Sequence, residues 1–142
     1  MAELKSPFRY DFVGSFLRPQ RLKEARAQFK AGEIDRAALT AVENEEIPRL
    51  IEKQKRAGYH AITDGEFRRS YWHLDFMWGF HGIDEVELDH GYFFHGEETT
   101  HGSIKVSGKI SGENHPFVEH YKFVKQFEDE NCIARQTMPA PA

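Results

Sequence analysis

Ala57-Gly58-Tyr59-His60-Ala61-Ile62-Thr63-Asp64-Gly65-Glu66 is the run on which the fold turns. Gly58 is a natural stop for a helix arriving from the N-terminal side, because a residue without Cβ accepts the left-handed backbone that closes a last helical turn. Tyr59 to Thr63 is then short and β-prone, and Asp64-Gly65-Glu66 sets an acidic pair where that strand would end. Helix, stop, strand and acidic tip in that order belong to a chain that alternates helices with strands.

Upstream, Asp35 can cap a long helix whose Leu39, Val42, Ile47, Leu50, Ile51 and Ala57 form one apolar stripe. Pro48 lies inside it and lacks the backbone donor, so a kink near Asn44 to Ile47 is expected, as a bent helix or as two pieces. Pro19 to about Lys30 reads as a helix with Leu22, Ala25 and Phe29 on one face, stopped at Gly32. Asp11 to Val13 is predicted as a first strand ending in the Gly14-Ser15 turn. Downstream, Trp72, Phe76, Met77 and Phe80 suggest a third amphipathic helix. Residues 85–112 are glycine-punctuated, with Tyr92-Phe93-Phe94 and alternating Ile104, Val106 and Ile110, and read as a β-hairpin insertion. Asn114 and Pro116 open a helix carrying Phe117, Tyr121, Val124 and Phe127, and Cys132 to Gln136 is a further strand. Strands separated by long helices imply an α/β fold with parallel neighbours joined by right-handed crossovers.

Composition narrows the function classes. A length of 142 residues, 39% hydrophobic and 30% charged, suits one modest globular core and not a disordered tail. The net charge of −4 comes from intermixed acids and bases, so no basic stripe is present for a nucleic acid to follow. One cysteine, Cys132, excludes an internal disulfide and favours a reducing, cytoplasmic setting. Nowhere does an apolar run approach the roughly 20 residues that span a bilayer, and the first residues do not read as an export signal.

Three motifs carry a resemblance: Val13-Gly14-Ser15-Phe16-Leu17-Arg18-Pro19, the run from Ala57-Gly58-Tyr59 through Ile62-Thr63-Asp64-Gly65-Glu66-Phe67-Arg68-Arg69, and Thr137-Met138-Pro139-Ala140-Pro141. In order and spacing they resemble the start of the catalytic barrel of cobalamin-independent methionine synthases, chiefly the shorter, single-domain relatives. The resemblance implies a partial TIM (β/α)8 barrel: about the first three strand-helix units, spanning residues 1–142, with the 85–112 hairpin inserted. It also implies methyl transfer from 5-methyltetrahydrofolate, usually polyglutamylated, to the sulfur of homocysteine, with a zinc ion holding the thiolate. A bound cation stabilises that nucleophile at neutral pH.

By the same resemblance Val13 and Ser15 hold the carboxylate and amine region of homocysteine, and Glu66 pairs with its ammonium. Gly14 and Gly65 let the backbone approach closely, and Asp64 and His73 could line the pocket; at Asp64 the larger enzymes carry a different residue. Taken alone, a Gly-Ser turn or an Asp-Gly-Glu loop is ordinary turn chemistry; their placement at matching strand ends gives them weight. Arg68 and Arg69 could pair with the strand-end acids, meet a folate tail, or simply lie on the surface. The family's zinc ligands lie on later strands, so no metal ligand and no catalytic residue is assigned within this chain. Cys132 reads as a packing residue, and His90, His95 and His101 lack a zinc spacing and read as loop histidines.

Two readings remain open on the sequence. Either the chain is the N-terminal part of a methyltransferase barrel, inactive alone and prone to self-associate through its open edge. Or it is a truncated, non-catalytic fragment or amino-acid-binding or oligomerising module.

Overall fold

The structure is a computed structural model and describes residues 12–91, 93–98 and 101–140. These form two compact units, residues 12–68 with 119–137 and residues 69–118 with 138–140.

In the first unit, α1 (Gln20–Lys30) starts directly after Pro19, and α2 (Arg36–Arg56) starts after Asp35, whose carboxylate accepts the Ala38 N–H at 2.8 Å. Both helices end alike. Glu33 N–H reaches the Gln28 carbonyl and Gly32 N–H that of Phe29; Tyr59 N–H reaches Gln54 and Gly58 N–H reaches Lys55. This double closure requires a left-handed residue after the helix, and Gly32 (φ +75°) and Gly58 (φ +85°) supply it. Pro48 does not divide α2: the helix is continuous over its 21 residues.

The buried side of α2 carries Leu39, Ile47, Leu50 and Ile51 at helical spacing, and these pack with Leu22 and Ala25 of α1 and with Ile62, Phe67, Val124 and Cys132. Glu43, Glu46 and Gln54 share that buried side, and each has polar partners. Glu43 meets Arg68 at 3.1 Å and Arg26 at 3.4 Å, and Glu46 meets Arg49 at 2.7 Å and Arg21 at 3.2 Å.

Strand β1 (Ala61–Ile62) lies parallel to a second strand, Ile133–Ala134, which the chain reaches after the other unit's residues. Ile133 N–H donates to His60 and Arg135 N–H to Ile62, each at 2.8 Å. The ladder is shorter than the runs Tyr59 to Thr63 and Cys132 to Gln136 suggest, because the backbone groups at its edges find other partners. Thr63 gives its N–H to the Gln54 side chain at 3.0 Å and accepts from it at 2.9 Å, so an amide on α2 stands where a strand neighbour would.

The strand expected at Asp11 to Val13 does not form over its described part. Asp11 lies outside the described residues, and Phe12 and Val13 are irregular. Their segment is tied down by side chains: the Arg135 guanidinium donates to the Phe12 carbonyl, and the Phe12 ring lies 4.4 Å from Tyr59 and 5.3 Å from Phe16.

The second unit holds α3 (Leu74–Trp78), shorter than the Trp72 to Phe80 periodicity implies. Before it, the Asp75 carboxylate takes the N–H groups of Ser70 and Tyr71, a local alternative to a helical turn. β2 (His81–Glu87) follows and pairs with the long strand Gly102–Ser111 as an antiparallel ribbon, which thus starts earlier than Glu85. Its register breaks beside Gly82 (φ +77°), where a Cβ would come within 2.6 Å of the Lys109 carbonyl. Between these strands, β3 (Phe93–Phe94) and β4 (Glu97–Glu98) form a small hairpin. His95 (φ 49°) and Gly96 (φ +87°) make its turn, with the two left-handed residues that match strand twist. In chain order Gly102–Ser111 is β5, the helix Pro116–Lys125 is α4 and Ile133–Ala134 is β6. The strands and helices together are a mixed α/β arrangement of small sheets.

Candidate functional site at the tip of the first strand

The C-terminal tip of β1 is a tight turn built from residues 64–67. Gly65 (φ +68°) and Glu66 (φ 60°) are both left-handed, and Phe67 N–H closes the turn on the Asp64 carbonyl at 3.2 Å. For glycine this backbone is ordinary; for glutamate it costs on the order of 1 kcal/mol and persists only where surroundings impose it. Those surroundings are visible. The Asp64 carboxylate accepts the Glu66 N–H at 2.9 Å, and the Arg18 guanidinium donates to the Glu66 carbonyl at 3.0 Å. Thr137, just past β6, donates its hydroxyl hydrogen to Glu66 Oε1 at 2.9 Å.

The Gly14-Ser15 turn lies alongside. Thr63 Oγ1 donates to the Gly14 carbonyl at 2.9 Å and accepts the Gly65 N–H at 3.1 Å, and Phe16 N–H donates to the Gly65 carbonyl at 3.1 Å. Gly14 (φ +106°) has no room for a side chain: a Cβ there would stand 2.6 Å from the Thr137 methyl. Gly65 is as confined, since its Cβ would meet Leu50 at 2.2 Å. Three separate stretches, 13–16, 63–66 and 135–137, thus meet at one strand tip.

Of the residues singled out in the sequence, Gly14, Ser15, Asp64, Gly65 and Glu66 fall in this cluster. Asp64 and Glu66 are buried (2% and 7% exposed), and Ser15 and Val13 are exposed, Val13 at 86%. His73 belongs to the second unit, where it precedes α3 with its ring 4.6 Å from that of Trp72. Arg68 bonds to Glu43 and, at 2.6 Å, to Asn44. Arg69 is buried with its guanidinium 4.3 Å from the Phe117 ring centre. Arg18, Thr63 and Thr137, which hold the turn, were not among the expected site residues. All three do lie inside the motifs that carried the resemblance.

Among the described residues no three His, Cys, Asp or Glu side chains gather to hold a metal ion. Cys132 is buried, its thiol donates to the Tyr59 carbonyl at 3.2 Å, and burial raises its pKa, opposite to what a metal thiolate needs. His101 pairs with Glu98 at 3.5 Å, and His90 faces the Gly91 carbonyl at 3.1 Å. No helix among the described residues is long and apolar enough to cross a membrane.

Fold and site together define an α/β protein in which a conformationally constrained glutamate stands at a strand tip. The chain belongs to the cobalamin-independent synthase catalytic domain family, whose pattern matches residues 10–93. It is 44% identical over 137 residues to YxjH of Bacillus subtilis, a protein described as uncharacterized, covering 96% of this chain and 36% of that one. It is 34% identical over 58 residues, 41% of this chain and 8% of the other, to a 5-methyltetrahydropteroyltriglutamate–homocysteine methyltransferase of Xylella fastidiosa. A crystal structure of a Listeria monocytogenes protein, provisionally assigned as a vitamin-B12-independent methionine synthase, superposes with a TM-score of 0.78 at 40% identity, over 98% of this chain and 38% of that one. The chain spans about a third of the length of YxjH.

Proposed function

We propose that this chain forms the amino-acid-binding part of a methyl-transfer site whose acceptor is homocysteine or a closely related amino-acid thiol. The observation that carries the reading is the convergence of the Gly14-Ser15 turn on the Glu66 turn, through Thr63 to Gly14 at 2.9 Å and Phe16 to Gly65 at 3.1 Å. A zwitterion needs donors at its carboxylate and an anion at its ammonium. Ser15 and the backbone at Val13 offer the first, and the Glu66 carboxylate the second. In this reading β1 and β6 are neighbouring strands of a TIM barrel, whose ligands gather at the C-terminal ends of the strands. The antiparallel ribbon is then an insertion between barrel units. The methyl donor, a methyltetrahydrofolate, and the zinc that activates the thiol act in the intact family, and no step through either is assigned to these residues. The edge of β6 gives the chain a route to self-association.

Calorimetry with homocysteine and methionine tests the proposal. Binding by the full chain that falls at least about tenfold in Glu66→Gln is expected, a loss typical of removing a charged hydrogen-bond partner. Equal binding by both forms, or none by either, counts against it and favours a chain without an amino-acid site.

A further inference from the structure

We infer that Thr137 is a positioning residue for the Glu66 carboxylate, an inference that rests on the amino-acid-binding reading and extends it to a third segment of chain. Thr137 lies 71 residues from Glu66 in sequence, yet its hydroxyl donates to Glu66 Oε1 at 2.9 Å. A carboxylate on a flexible side chain presents a time-averaged charge; one oxygen held by a fixed donor turns the carboxylate plane and leaves its direction defined. The donor is itself fixed. Thr137 lies two residues past Arg135, which with Ile133 anchors the chain around β6 to β1. Its methyl sits where a Cβ on Gly14 would intrude, 2.6 Å away, and Thr137 is β-branched, so few rotamers are open to it.

The three parts therefore interlock. The absent side chain at Gly14 makes room for the Thr137 methyl, and the methyl side of Thr137 leaves its hydroxyl directed to Glu66. Thr63 binds the Gly14 carbonyl and the Gly65 N–H at once, which ties the Gly14 turn to the Glu66 turn through a second hydroxyl. Two threonines at adjacent strand tips do different work: Thr63 joins the two backbones, and Thr137 aligns the charged group.

The test is calorimetric titration of the full chain with L-methionine, comparing Thr137→Val, Thr137→Ser and the unsubstituted protein, with thermal melts of each. Thr137→Val keeps the shape and removes the donor; Thr137→Ser keeps the donor and removes the methyl. The expected result is binding weakened about tenfold in Thr137→Val and restored to within about twofold of the unsubstituted chain in Thr137→Ser. Melting temperatures show whether either form has lost its fold, and should the valine form fail to fold, Thr137→Ala takes its place as the form without the donor. Unsubstituted protein that binds while Thr137→Val binds equally well, or while Thr137→Ser folds normally and binds no better than Thr137→Val, overturns the positioning role alone. Absence of binding by the unsubstituted chain overturns the amino-acid reading and this inference with it.

Discussion

Single residues at the β1 tip work under tight steric limits. Gly65 combines a left-handed backbone with a Cβ direction aimed at Leu50, so Gly65→Ala is expected to destabilise the fold by about 1–3 kcal/mol, read as a shift in the urea midpoint. A turn word such as Asp-Gly-Glu is legible in sequence, and so is its place after a strand. That Glu66 also takes the left-handed conformation was not, because its carbonyl is held by Arg18 from 48 residues away. Glu43 makes a different point. Burial pushes its carboxyl above the ordinary range, outweighing the downward pull of Arg68 and Arg26. The folded state then retains a proton that the unfolded chain has already released, so Glu43's contribution to stability is present at low pH and is lost as pH rises through its raised folded value. Glu43→Gln, which cannot ionise, is expected to flatten the dependence of unfolding free energy on pH across the weakly acidic range. An unchanged slope would contradict this.

Elements were legible where local chemistry decides them and illegible where distant partners do. The caps at Asp35, Gly32 and Gly58 are local signals and appear in the structure, as does the apolar stripe of α2 from Leu39 to Ile51, while Ala57, expected in that stripe, is the exposed residue just after the helix. Pro48 was expected to bend or divide α2; the helix is not divided there, and Ile47, Leu50 and Ile51 pack on both sides of the lost donor. Strand lengths were overread because alternation cannot show that Thr63 bonds to Gln54 and not to a strand. That same contact carries a prediction: Gln54→Ala leaves a buried N–H and a buried carbonyl without their amide partner, and should cost about 2–4 kcal/mol. Faster amide exchange at Thr63 than in the unsubstituted protein would accompany it, and unchanged stability would show that the α2 to β1 link contributes little. The short α3 has the same origin, since Asp75 satisfies the Ser70 and Tyr71 amides ahead of it.

At the scale of the whole molecule, family membership and the convergence of two motifs on one strand tip were foreshadowed by three short words of sequence, while the roles of Arg18, Thr63 and Thr137 inside those words in locking that tip were not. Among the described residues β6 has a strand partner on one side only, and Ile133 is partly exposed there. An open parallel edge favours pairing with another chain, so light scattering after size exclusion is expected to give a mass above that of one 16.5 kDa chain; a strictly monomeric mass would contradict it. The central claim is that the Gly14-Ser15 turn and the Glu66 turn hold one small zwitterion. It is tested most directly by following backbone amide signals of the isotope-labelled full chain while L-methionine is added. Saturable shifts concentrated at residues 13–16 and 64–67 are expected; a spectrum that does not respond, or shifts confined to other parts of the chain, would contradict it.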